Sequence, residues 1–176
     1  ELSCHHDGQS IISNGEFSGK TLAQYIETVG KQVIGTKAPK DKDFPILIKF
    51  IDAKQSLSVQ VHPDDKYALL HEGESGKTEM WYVMDATPDA TLIYGFTHEI
   101  SHQEFERRIK DNTLLEVCNQ VPIKKGDVFF IEAGTLHAIG AGALIAEIQQ
   151  SSNSTYRVYD YGRVGKDGKL RELHIE

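Results

Sequence analysis

V-P-I-K-K-G-D-V-F-F-I-E-A-G-T-L-H-A-I-G, residues 121–140, folds one strand between two turns. Lys125-Gly126-Asp127 is a tight turn and Val128, Phe129, Phe130 and Ile131 form an apolar strand. Ala133-Gly134-Thr135 then turns the chain again and delivers His137 back toward the sheet. Two readings stand side by side, a hairpin with an incidental histidine and a sheet built to present that histidine.

Upstream, S-V-Q-V-H-P-D-D (58–65) places Gln60 and His62 two residues apart in a run that otherwise resembles a buried strand. Side chains alternate along an extended chain, so this pair shares one face while Val59 and Val61 take the other. Pro63 keeps His62 out of the helical region, in an extended conformation at the strand's end. The pair is either a set of ligands or an inward His and Gln satisfied by backbone partners, as buried polar groups usually are. K-T-E-M-W-Y-V-M (77–84) repeats the pattern, with Lys77 and Glu79 on one face. If both pairs and His137 face one interior, Gln60, His62, Glu79 and His137 offer two imidazoles and two oxygen donors. That set suits a first-row dication, zinc included, and lacks the thiolates of a closed structural site. One carboxylate against a dication leaves about one net positive charge, which keeps the ion a Lewis acid with room for a substrate oxygen or water.

Composition bounds the rest. With 176 residues, 39% of them hydrophobic, the chain is long enough for one domain with a sizeable core and short for two. Its apolar runs, such as I-L-I-K-F-I, are strand-sized and far from the roughly 20 residues of a membrane span. The two cysteines, Cys4 and Cys118, have no metal-type spacing, which favours a reducing, cytoplasmic setting. A formal charge of -7 argues against nucleic acid as a partner, because that affinity comes mainly from neutralised phosphates. A small anionic substrate would need a local cluster of Lys and Arg. The start at Glu1 and the unterminated K-L-R-E-L-H-I-E end give the expectation of a fragment of a longer protein.

Strands are expected over 45–53, 56–62, 78–85, 91–96, 127–132, 143–149 and 155–161. Helices are expected over 21–29, over 64–70, and after a capping box formed by Ser101 and Glu104. Many closely spaced strands with few helices predict an all-β antiparallel sandwich or barrel. The G-D-x6-G-x2-H pattern of Gly126, Asp127, Gly134 and His137 resembles the cupin signature, which implies a jelly-roll, or double-stranded β-helix, barrel.

In order along the chain, S-V-Q-V-H-P-D-D, G-K-T-E-M-W-Y, A-G-T-L-H-A-I-G and Q-Q-S-S-N-S-T-Y-R-V-Y-D-Y-G-R closely resemble type I phosphomannose isomerases, particularly their short bacterial form. The resemblance spans nearly the whole chain and implies a single cupin-type catalytic domain, residues 1–176, of a longer protein. It puts Gln60, His62, Glu79 and His137 at the zinc-ligand positions. It implies interconversion of mannose 6-phosphate and fructose 6-phosphate through a cis-enediol, chemistry that needs an electrophile, a base for a carbon acid and a cation for the oxyanion. Arg157 matches the family's active-site arginine, Lys77 the lysine discussed as an acid–base group, and Glu147 a further active-site carboxylate. One departure is Asn153, where larger members carry an aspartate four residues before the arginine. Rival readings are a cupin Fe(II) dioxygenase, against which Gln60 speaks by standing where a His-x-His pair would begin, and a non-catalytic sugar-phosphate-binding cupin.

Other residues carry blander expectations. Arg163 and Lys166 are phosphate candidates by charge alone. His5 and His6 are expected at the surface, His71 and His98 in caps or loops, Arg107 and Arg108 solvated, and Trp81 and Tyr82 in the core.

Overall fold

The computed structural model describes residues 1–38, 44–165 and 167–175. Among them the strands are β1 (Ile46–Asp52), β2 (Val59–Val61), β3 (Glu79–Ala86), β4 (Thr91–Phe96), β5 (Cys118–Pro122), β6 (Val128–Ile131), β7 (His137–Ile139), β8 (Ala143–Gln150) and β9 (Tyr156–Tyr159). They form a four-stranded sheet ordered β1-β8-β3-β6 and a five-stranded sheet ordered β5-β4-β7-β2-β9. Every ladder is antiparallel. The two sheets enclose an apolar interior, the cupin jelly-roll that the G-D-x6-G-x2-H pattern implied.

Alternation decides what enters that interior. Along β3, Glu79, Trp81 and Val83 are buried, and along β8 so are Ala143, Ile145, Glu147 and Gln149. Trp81, Val83, Leu92, Ile131, Ile139 and Ile145 fill one end of the sandwich. The outer face of the five-stranded sheet carries a second apolar cluster, in which Ile109, Leu114 and Val117 pack on Val59, Ala138 and Val158. Ile109 comes from α3 (His102–Lys110), and α1 (Leu22–Val29) and α2 (Asp65–His71) are the other α-helices among the described residues. Each starts where a side-chain oxygen caps a free N–H: Thr21 for α1, Asp64 for α2 and Ser101 for α3.

Several expectations need correction. β5 and β7 were not expected as strands. The first is short and half polar and the second has three residues, so neither shows a periodicity. Tyr82 is 40% exposed, because it alternates with buried Trp81. The box at α3 is half made: Ser101 accepts from the Glu104 N–H, but the Glu104 carboxylate turns to Arg108 at 2.8 Å. Arg108 is thereby largely covered and pairs with Glu116 as well, whereas Arg107 stays exposed. His6 is exposed as expected, but His5 is buried against Glu74. His71 stacks on Tyr67, and His98 bonds the Thr97 hydroxyl in an exposed loop.

Candidate metal centre

The two turns of residues 121–140 build part of the site directly. Gly126 and Gly134 take φ of +95° and +86°, a backbone region that glycine enters at little cost. The Gly134 N–H donates to the His62 carbonyl at 2.9 Å, tying the turn to the end of β2. The Thr135 carbonyl accepts from His137 Nδ1 at 2.8 Å. His62 Nδ1 likewise donates to the Ser154 carbonyl, at 3.0 Å. A carbonyl can only accept, so each Nδ1 carries a proton.

The consequence lies at the other ring nitrogens. His62 Nε2 stands 3.1 Å from His137 Nε2 and 3.1 Å from Glu79 Oε1, with Glu79 Oε2 3.9 Å from His137 Nε2. Burial lowers the pKa of His62, although Glu79 opposes this, and burial together with the charge of His62 takes His137 down to about 4. Neutral imidazoles protonated at Nδ1 have bare lone pairs at Nε2. Burial alone would raise the Glu79 carboxyl, but the Lys77 ammonium 3.1 Å away favours the anion and holds it below the usual carboxylate range. Two lone pairs and an anionic oxygen therefore converge, all three residues about 1% exposed, with no proton left to join them. Glu79 Oε1 accepts no well-directed hydrogen bond, even with Lys77 Nζ at 3.1 Å. Such a cluster fits a cation, and the ligand atoms of His62, Glu79 and His137 all lie within 4.8 Å of one another.

Gln60 stands beside this triad. It pairs with His137 on one side and Arg157 on the other, and its Nε2 is 3.4 Å from His137 Nε2. Turning the amide over exchanges nitrogen for oxygen and presents Oε1 to the same point.

The family model for the catalytic domain of type I phosphomannose isomerase matches residues 2–90. The chain belongs to the type I phosphomannose isomerase family. A probable mannose-6-phosphate isomerase of Bacillus subtilis, GmuF, is 47% identical over 99% of this chain and 55% of its own length. The mannose-6-phosphate isomerase of Streptococcus mutans is 46% identical over 99% of this chain and 54% of its own. The crystal structure of mannose 6-phosphate isomerase from Bacillus subtilis matches with a TM-score of 0.87 and 42% identity, over 98% of this chain and 54% of that one. The chain spans about half the length of these relatives.

The remaining residues that the phosphomannose isomerase resemblance singled out fall around the triad at different distances. Lys77 is buried against Glu79, its backbone fixed by a bond from its N–H to the Pro63 carbonyl at 3.0 Å. Glu147 is joined to Glu79 through Trp81, whose indole N–H lies 2.9 Å from Glu79 Oε2 and 3.1 Å from Glu147 Oε2. Burial first, then the charge of Glu79, pushes the Glu147 carboxyl up to about 7, against the pull of Lys77 and Lys49. Arg157 shares the register of Gln60, yet its Nη1 donates to the Glu172 carbonyl and its Nε is buried without a partner among the described residues. Arg163 is committed to Asp160 at 3.1 Å and lies over the Tyr161 ring, and Lys166 lies outside the described residues. Asn153 donates to His5 Nδ1 and Asp7 Oδ2, away from the triad. Lys49 was missed: its Nζ sits 3.1 Å from Gln149 Oε1 and 3.7 Å from Glu147 Oε1. Its signal was a cation in phase with inward Leu47 and Ile51 on β1.

Proposed function

We propose that residues 1–176 are the catalytic, metal-holding domain of an enzyme that interconverts mannose 6-phosphate and fructose 6-phosphate through a cis-enediol, with one zinc ion held by Gln60, His62, Glu79 and His137. The observation that carries this reading is the convergence of two bare imidazole nitrogens and a carboxylate oxygen, with no proton among them, in a member of this family. Zinc bound there supplies a Lewis acid for the sugar oxygens. The chain's own groups supply the rest. Glu147, raised to about 7, exchanges a proton near neutrality, as transfer between C1 and C2 requires, and Lys77 stands on the same inner face as a second acid–base group. Arg157, permanently charged and a planar donor, stabilises the enediolate.

The relatives named as mannose-6-phosphate isomerases support the sugar-phosphate substrate, and the sparing use of cysteine supports a cytoplasmic setting. No helix among the described residues is long and apolar enough to cross a membrane.

A coupled assay of mannose 6-phosphate conversion, with metal analysis of the same sample, tests the proposal. Turnover should need one zinc per chain and stop with a chelator. Arg157→Ala should keep the zinc and lose turnover by about 10²–10³-fold, the scale of removing one oxyanion donor. Chelator-insensitive turnover, or stoichiometric iron with substrate-dependent oxygen uptake, would overturn it.

A further inference from the structure

Glu74 follows α2 and lies outside the ligand set, yet its carboxylate gathers four polar contacts. Its Oε1 accepts from the Ser154 hydroxyl at 2.6 Å, the Ser152 hydroxyl at 3.1 Å and the Asn153 N–H at 3.2 Å. Its Oε2 faces His5 Nε2 at 3.1 Å. His5 Nδ1 already accepts from the Asp7 N–H and the Asn153 amide, both at 3.3 Å, so the His5 proton is on Nε2 and is donated to Glu74. Burial opposes ionisation of Glu74, but the bonds from Ser154, His5 and Ser152 outweigh it and lower its pKa. From the other side, the Gln149 amide donates to the Ser152 carbonyl at 2.8 Å. Ser152 and Ser154 are buried, and the Ser154 carbonyl is the group that holds His62 Nδ1.

We propose that Glu74 is a positioning residue for the metal centre: its carboxylate, backed by His5, clamps segment 152–154 so that the Ser154 carbonyl sets the orientation and tautomer of His62. This rests on the reading of His62 as a metal ligand. Without the clamp the carbonyl is free to turn, and a His62 ring that loses it can place its proton on Nε2, which removes a ligand lone pair. A carboxylate that served only the fold would, when replaced, lower the stability of the metal-free protein and leave the metal affinity of the folded protein unchanged.

The experiment compares wild type, Glu74→Gln and Ser154→Ala by zinc competition against a chromophoric chelator and by the visible spectrum of the cobalt(II) form, below the unfolding temperature of each. Ser154→Ala keeps the carbonyl and removes the shortest link to Glu74, so it carries the test alone if Glu74→Gln does not fold. Outer partners of ligating histidines are typically worth 10–100-fold in affinity, so Glu74→Gln should weaken zinc by about tenfold or more, with an altered cobalt spectrum and a smaller effect in Ser154→Ala. Wild-type affinity and spectrum in both folded variants overturn the inference and leave the metal centre standing. Failure of wild type itself to take up zinc overturns both.

Discussion

The two ends of the sandwich interior are made by the same strands and differ only in what the sequence places at the inward positions. On β8, Ala143 and Ile145 face one end and Glu147 and Gln149 the other; on β3, Val83 and Glu79 divide in the same way. Trp81 is the seam, with its ring in the apolar cluster and its N–H shared between Glu79 and Glu147. The apolar end stabilises the fold, since each buried large aliphatic side chain contributes roughly 1.5–3 kcal/mol. The polar end costs stability, because it concentrates desolvated charge, set partly against Lys77 and Lys49. The fold therefore supports the chemistry by rigid adjacency along a strand, two residues at a time.

The largest effect that separates the ends is loss of the metal. Glu79→Ala and His137→Ala should abolish zinc retention and turnover while leaving the metal-free chain folded. Ile145→Ala, fully buried at the other end, should cost about 2–5 kcal/mol of stability and still bind zinc. Urea unfolding and metal analysis of the three proteins check this. A folded Ile145→Ala chain that takes no metal would show that the two ends are one mechanical unit.

How much of this division was legible in the sequence depended on whether a residue announced itself by phase. Gln60 with His62 and Lys77 with Glu79 stand in period-2 positions of strand-like runs, and the turn chemistry of Gly126 and Gly134 placed His137. Local rules therefore offered the triad as one of two readings, and the family resemblance, not phase alone, selected it. Lys49 was visible in the same way, as a charge on the buried phase of β1, but the surrounding apolar run hid it. His5 and Glu74 had no such signal. They sit in loops, and their partners Asn153, Ser152 and Ser154 lie far along the chain, so only tertiary structure joins them. β5 and β7 were missed because their pairing is fixed by neighbours in the sheet and not by their own pattern.

A middle-sized effect should follow pH. The Glu147 carboxyl, at about 4.5 when unperturbed, is raised to about 7 in the folded chain by burial and by Glu79. Between these values the unfolded chain has lost this proton and the folded chain keeps it. At Glu147 the folded state keeps a proton that the unfolded state has lost, so this group contributes stability that is lost as pH rises across the window. His62 and His137, lowered by burial, contribute the opposite slope over part of the same range. Glu147→Gln should remove that share, read as the difference in slope between wild type and variant, and keep the zinc, yet lose turnover if Glu147 moves the proton. Urea unfolding of the metal-free pair across the window is the measurement. Zinc should draw the transition in wild type to lower pH, since a nearby cation favours the carboxylate. A slope unchanged in Glu147→Gln would move the titration to another group at the polar end.

The smallest effect lies on the far side of the same strands, where neither end of the interior reaches. On β6, Phe130 is 56% exposed, while the next residue, Ile131, is 1% exposed and packs in the apolar cluster. Cross-strand neighbours Met80 and Ile148 share the outer face with Phe130. A side chain that remains in water has little transfer energy to lose, so Phe130→Ser should change stability by no more than about 0.5 kcal/mol, against about 2–5 kcal/mol for Ile131→Ala. Urea unfolding at several protein concentrations compares the two variants. If Phe130→Ser proves as costly as Ile131→Ala, and the cost grows with concentration, then the outer face is covered by another copy in solution, and the contrast between inner and outer faces belongs to the isolated chain alone.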